Sequence, residues 1–231
     1  MNYLRPNIST GCSGLDKILD GGLPLRNVAL LYGAAETGKT TLAIQCAANT
    51  ARVGYKTIFI DSDNSFSPER LSQIALDDID RVSASIIFIK PSSFTEQGVV
   101  IDHIEEYLTP KFGLVVVDTI TSLYRAELGT AQKTFTLNRE LNRQVASLAQ
   151  IAKSHQLTVL MTSQVRSVPL PEGTDVVPVA TRVLKFWSDF VIGLDSAEER
   201  GVIVATLEKP VERSSSCRLI MEEDGLHDHD R

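Results

Sequence analysis

The sequence predicts an α/β fold: a mainly parallel central sheet flanked by helices, with an antiparallel extension toward the C-terminus. Three observations lead there. Apolar runs of strand length alternate with helical patterns along most of the chain, as strand–helix–strand crossovers require. The runs are continuously apolar rather than alternating, which fits strands covered on both faces. Beyond Gln164 the helical patterns fade and strands follow one another across turns, the mark of antiparallel neighbours.

The elements follow in order. Val28 to Tyr32 reads as a short buried strand, and Thr41 to Ala51, rich in Ala, Leu, Ile and Gln, as a helix. Thr57 to Asp61 is a β-branched strand, and Pro68 to Leu76 a helix with proline suited to its first turn. Ser85 to Ile89 is a third strand, and Glu96 to Leu108 a helix carrying apolar Val99, Val100, Ile104 and Leu108. Leu114 to Asp118 is the fourth strand and Thr158 to Met161-Thr162 the fifth. Between them a long helix lies within Thr134 to Ser154, its Leu137, Leu141, Val145, Leu148 and Ala152 recurring at helical spacing and facing the core. Residues 165–182 contain Pro169, Pro171, Gly173 and Pro178 and show no periodicity, so a long binding or mobile loop is expected. Phe190 to Leu194, Val202 to Leu207 and Cys217 to Met221 complete the strands.

With 231 residues the chain fits one domain spanning residues 1–231. No apolar run approaches the roughly 20 residues that cross a bilayer, and Met1 to Pro6 lacks a signal-peptide core; a cytoplasmic location is expected. Cys12, Cys46 and Cys217 stand singly, without metal spacing, and read as reduced apolar packing groups. The stretch 222–231 reads as a flexible acidic tail, with His227 and His229 solvated rather than holding a metal.

The chemistry begins at Gly33-Ala34-Ala35-Glu36-Thr37-Gly38-Lys39-Thr40-Thr41. This is G-x-x-x-x-G-K-T set between a strand and a helix, the context a phosphate loop demands. Glycines let successive backbone N–H groups face a phosphate, Lys39 can reach the outer phosphates, and the Thr40 hydroxyl can ligate Mg²⁺. The helix N-terminus adds a favourable dipole. A nucleoside triphosphate is the ligand this pattern implies.

Asp118, at the tip of the fourth strand, lies on the edge where open α/β sheets bind ligands, and can hold the Mg²⁺ beside Thr40. Asp61 and Asp63 lie two residues apart, on one side if the chain stays extended. Either could orient the water that attacks the γ-phosphate, or both could be loop caps. Gln164 follows the fifth strand, where its amide could sense the γ-phosphate or simply open the loop.

The net charge of −6 argues against indiscriminate polyanion binding. Locally the sign reverses: Arg125, Lys133, Arg139, Arg143 and Lys153 face only Glu127 and Glu140 between residues 125 and 153. Arg139 and Arg143 share an outward face of the long helix, either as phosphate contacts or as a solvated surface.

Taken together, Ile8 to Asp16, Gly21-Gly22-Leu23-Pro24, the phosphate loop, Phe66-Ser67-Pro68-Glu69-Arg70-Leu71, Asp118 to Arg125 and Thr162-Ser163-Gln164-Val165 resemble the cores of the RecA-type recombinases. The likeness runs from about residue 8 to about residue 225. Ala34 to Thr37, the shortened region after Gln164 and Trp187-Ser188 make the chain most similar to the short archaeal paralogues of the recombinase RadA. The resemblance implies a RecA-like P-loop NTPase core that binds ATP and Mg²⁺, with Lys39, Asp63 and Gln164 as catalytic residues. It places DNA-binding loops at about residues 125–135 and 165–182, where Arg125 matches a loop arginine and Arg166 and Arg182 frame the second loop. Tyr124, Phe186 and Trp187 could stack on single-stranded bases, or pack in the core as such residues more commonly do. Lys209 and Pro210 lie near the position that caps ATP in a neighbouring subunit of a homo-oligomer. The implied partners are DNA, single-stranded or branched and held with modest affinity, and RadA or other recombination proteins.

Two departures qualify the likeness. The family places glutamate where this chain has Asp63, whose reach is shorter by about 1.5 Å; errors of that size cost catalysis about 100-fold. Only Met1 to Asn7 precede the core, where recombinases carry a DNA-binding domain and a docking linker. The expected function is therefore an ATP- and DNA-binding regulator of homologous recombination and DNA repair, a weak ATPase without strand exchange of its own. An active DNA-dependent ATPase recombinase is one alternative. A clock-type RecA-fold switch is another, although those proteins carry paired glutamates where this chain has Ser62-Asp63.

Overall fold

In the computed structural model, residues 6–170, 173–213 and 215–229 are described, with backbone alone at 166–170, 173–178 and 213. Chain order begins with α1 (Ser13–Ile18), β1 (Val28–Gly33), α2 (Lys39–Arg52), β2 (Lys56–Asp61), α3 (Pro68–Ala75), α4 (Ile79–Ala84), β3 (Ile86–Ile89) and α5 (Phe94–His103). It continues with β4 (Phe112–Asp118), α6 (Ser122–Ala126), α7 (Ala131–Ser154), β5 (Thr158–Ser163), β6 (Val165–Leu170), β7 (Gly173–Pro178) and α8 (Thr181–Trp187). The strands β8 (Phe190–Ser196), β9 (Val202–Lys209), β10 (Ser215–Glu222) and β11 (Gly225–Asp228) close it.

One nine-stranded sheet organises the fold, in the order β11-β10-β9-β8-β1-β5-β4-β2-β3. Every residue of β1, β4 and β5 is buried, because helices cover both faces of these central strands. Leu15, Leu42, Ile44, Phe59 and Leu71 pack on the face of α1 to α4; Ile101, Leu141, Val145, Leu148 and Leu184 pack on that of α5 to α8. The helix starts are chemically marked: Ser67 accepts from the Arg70 N–H beside Pro68, Ser93 from Glu96 and Thr130 from Lys133.

The architecture agrees with the expected fold class, with corrections. The strand Phe190–Ser196 is where the sheet changes sense: β8 runs parallel to β1 on one side and antiparallel to β9 on the other. The expected loop at 165–182 is a β6–β7 hairpin followed by α8. Both outer edges of a two-stranded ribbon are free, so prolines that would break a central strand are tolerated. The short helices α1, α4, α6 and α8 have no more than seven residues, too few for periodicity to show.

The expected tail at 222–231 is also corrected. Residues 225–228 form β11 against β10, and Leu226 is fully buried. Gln45 of α2 binds both backbone groups of Leu226, accepting from its N–H (2.7 Å) and donating to its carbonyl (2.9 Å). Asp228 accepts from the N–H groups of Ser13 (2.9 Å) and Gly14 (2.7 Å), so it caps α1. His227 meets Asp224 at 2.7 Å. Acidic composition hid a hairpin whose two ends are fixed by distant partners.

Leu226→Ala is therefore expected to cost about 2–5 kcal/mol of stability, read as a lower urea midpoint. A change within error would mean that the hairpin is dispensable.

Candidate functional site

Strand register sets the site. Tyr32 pairs with Ser163, and Asp61 with Asp118. The phosphate loop, Asp118, Asp61 and Gln164 thus emerge along one carboxyl edge. Gly33 ends β1 where a Cβ would come 2.4 Å from the Leu194 carbonyl. Gly38 has φ of 83°, a left-handed turn that favours glycine. Lys39 opens the 14-residue helix α2. Its Nζ folds back to donate to the Ala34 carbonyl at 2.5 Å, above a cavity of about 310 Å³ lined by Glu36, Gly38, Lys39, Thr40, Thr41, Arg70 and Met221.

Asp118 is fully buried. Its carboxylate accepts from Thr162 and from Ser65 Oγ at 3.2 Å; Ser65 Oγ lies 3.3 Å from Thr40 Oγ1. Burial pushes the Asp118 carboxyl up, while the Thr162, Thr40 and Ser65 hydroxyls oppose it. Burial pushes Lys39 down, and the nearby Asp118 and Asp63 charges oppose that. A hydroxyl, a buried carboxylate and an ammonium beside a helix N-terminus suit a magnesium–triphosphate complex. Thr40 and Asp118 could hold the metal, and Lys39 the phosphates.

The two aspartates after β2 part company. Asp61 turns inward to accept from the Ser65 (3.1 Å) and Phe66 (3.3 Å) N–H groups, the loop-cap role. The strand β2 ends at Asp61, so Ser62 and Asp63 lie beyond the extended run that would have kept the pair on one side, and Asn64 at φ of 56° marks the turn that follows. Asp63 stays exposed and accepts from Gln164 Nε2 at 3.2 Å. The Gln164 Oε1 in turn accepts from Arg125. Carboxylate, amide and guanidinium form one chain from the phosphate edge to the surface.

The basic residues separate in the same way. Arg139 and Arg182 are exposed. Arg143 is paired with Asp102 (2.5 Å) and Glu140 (2.7 Å), so the expectation that it offers a free phosphate contact is corrected. The side chain of Arg166 lies outside the described residues. Tyr124 is corrected as a stacking surface: it is buried, packs edge-on against Phe94 and donates to Asn138 at 2.9 Å. Lys209 points inward to the Lys185 (3.1 Å) and Ser188 (2.5 Å) carbonyls, not outward to a neighbour. Arg70 and Met221 border the cavity without having been singled out as site residues. Only the quoted Phe66–Leu71 run hinted at Arg70, and nothing local marks Met221.

The Rad51 family model matches residues 5–229. The chain belongs to the Rad51 family. The "DNA repair and recombination protein RadB" of Methanothermobacter thermautotrophicus is 36% identical over 211 residues, 90% of this chain and 89% of that one. The protein of that name from Thermococcus gammatolerans is 38% identical over 206 residues, 87% and 89% of the two chains. A solved structure described as "Crystal structure of the RadB recombinase" superposes with a TM-score of 0.83 at 33% identity, covering 96% of this chain and all of that one. The sequence resemblance, the RecA-like fold and a place among RadB-type repair and recombination proteins follow. ATP and DNA binding are expected of that family.

Lys39→Ala is expected to weaken nucleotide binding about 10- to 100-fold with or without magnesium. Asp118→Asn should remove only the magnesium-dependent part. Calorimetric titration with Mg²⁺ and with EDTA separates the two; equal loss in both Asp118→Asn titrations would remove Asp118 from the metal site.

Proposed function

We propose that this chain is an ATP- and DNA-binding accessory protein of homologous recombination, for which ATP is chiefly a conformational ligand. The observation that carries the reading is the Asp63–Gln164–Arg125 chain. It joins the edge beside Lys39 and Asp118 to a basic surface, so a bound γ-phosphate and a bound strand act on neighbouring groups. In this reading Lys39 and the residues Gly33 to Thr41 bind ATP, Thr40 and Asp118 hold Mg²⁺, and Gln164 responds to the γ-phosphate. Arg125, Arg139 and Arg182, with Arg166, meet DNA phosphates. The protein works in the cytoplasm beside the DNA it serves.

Turnover is slow in this reading. Asp63 is the residue placed to orient water, and its carboxylate is both short and engaged by Gln164. A proline-bearing hairpin stands where a glycine-rich second loop would wrap a strand, which disfavours strand exchange by this chain alone. A protein partner is supported at the opposite end of the sheet. There β3 is an edge strand with Ile87 and Phe88 exposed, a form suited to strand addition. RadA or another recombination protein is the proposed partner, and self-association is a further use of such an edge.

Asp63→Glu should raise steady-state ATP hydrolysis about 10- to 100-fold; unchanged turnover would show that reach at this position is not what limits the rate. DNA affinity should fall steeply between low and moderate salt as counterions return to the strand. A salt-independent affinity, or none at low salt with ATP binding intact, would favour a switch that does not act on DNA.

A further inference from the structure

The outer faces of α7 and α8 repeat one arrangement. On α7, Phe135 and Arg139 are four residues apart and both exposed, opposite the buried Leu137, Leu141, Val145 and Leu148. On α8, Arg182 and Phe186 are four apart and exposed, while Leu184 faces the core. Residues at that spacing share a helix face, roughly 6 Å apart along the axis. Phe135 is 65% and Phe186 72% exposed, so both rings present most of their surface to solvent.

Trp187 joins the two helices. Its Nε1 donates to Asn142 Oδ1 of α7 at 2.9 Å, and its ring meets Phe186 edge-on at 5.1 Å and 90°. Asn142 stands three residues beyond Arg139 and seven beyond Phe135, on the same stripe of α7. The exposed rings therefore border one surface. Toward the N-terminal ends of both helices, a cavity of about 450 Å³ opens between Leu128, Thr134, Asn138 and Val179.

The charge there has one sign. The only carboxylate on α7, Glu140, is held by Arg143, and α8 has none, although the whole chain carries −6. An apolar protein partner would account for the rings but not for an arginine one turn from each. Duplex DNA would account for the arginines but keeps its base faces stacked inside. A single strand offers both phosphates and free base faces.

We infer that α7 and α8 form a stacking ledge for single-stranded DNA, with Phe135 and Phe186 as platforms and Arg139 and Arg182 as phosphate contacts. This rests on the DNA-binding reading above and adds which strand form is held and by which groups. The half-buried Trp187 braces the ledge.

The test is fluorescence anisotropy of the full chain with labelled oligo-dT and with a duplex of equal length, at several salt concentrations. The double variant Phe135→Ala/Phe186→Ala should lose oligo-dT affinity about 10-fold per ring, with duplex binding and the salt slope unchanged. Arg139→Ala/Arg182→Ala should weaken both forms and lower the oligo-dT salt slope by about 1.4. Thermal melting and ATP titration of each variant confirm an intact fold. If the wild type binds oligo-dT and the phenylalanine variant binds it equally well, the ledge is wrong while the DNA-binding reading stands. If the variant instead changes the mass seen by light scattering and not the DNA affinity, the face is a protein interface and the inference is overturned. If the wild type binds neither DNA at low salt, the underlying reading has failed.

Discussion

Asp118 is a carboxylate withdrawn from water at the centre of the carboxyl edge, met by the hydroxyls of Thr162, Thr40 and Ser65. Burying a carboxylate costs several kcal/mol unless opposite charge and hydrogen bonds compensate. Lys39, across the site, is the complementary case, its ammonium partly desolvated and leaning on a carbonyl of its own loop. Each charge stabilises the other only at a distance. A divalent cation with an anionic ligand between them would satisfy both, which is why nucleotide and metal fit this chain better than either alone. The Asp61–Asp118 and Tyr32–Ser163 register holds those two charges in place, so the site depends on strand pairing as much as on its own side chains.

The roof of that site comes from the far end of the chain. A Cβ on Gly38 would lie 2.7 Å from Met221 Cε and 3.0 Å from Leu226 Cδ1, so the β10–β11 hairpin rests directly on the loop. Gln45 fixes the hairpin to α2, Asp228 fixes it to α1, and Cys12 Sγ donates to the Leu226 carbonyl at 3.1 Å. Burial pushes the Cys12 thiol up to about 12 and Cys217 up to about 11. Both stay protonated at neutral pH and act as packing groups, as their single spacing implied. Glycine at position 38 thus serves two masters: the left-handed turn of the loop and the closeness of the hairpin above it.

What the sequence made legible was whatever repeats. β1, β4 and β5 showed as unbroken apolar runs, and α7 as a five-residue apolar stripe. The phosphate loop showed because its spacing is itself the chemistry. The hairpin at 165–178 was masked by prolines, and β11 by acidic neighbours; their pairing partners, not their composition, make them strands. Asp61 and Asp63 could not be told apart, because the end of β2 at Asp61, which puts Asp63 outside the strand, leaves no periodic trace. The pairing of Arg143 was not legible because Asp102 lies 41 residues away on another helix. Tertiary partners decided each of these positions.

Two connections leave the nucleotide edge for the basic face, and they differ in kind. Tyr32, the residue before Gly33, donates to Glu208, which also binds Lys185 of α8 at 2.7 Å. Lys209 then closes the end of α8 through the Lys185 and Ser188 carbonyls. Ion pair, phenol and carbonyl bonds make that connection a brace, holding α8 against the sheet. The connection through Gln164 is a hinge of a single side chain. An amide is the one group there able to accept from Arg125 and donate to Asp63 at once. A glutamate would repel Asp63 and a lysine would repel Arg125. Because its Nε2 donates, the amide can exchange the Asp63 carboxylate for a phosphate oxygen, and Asp63 is exposed, so no desolvated charge is left behind. In the proposed reading the braced helix keeps its face fixed, while the single amide beside it is the group that answers the nucleotide.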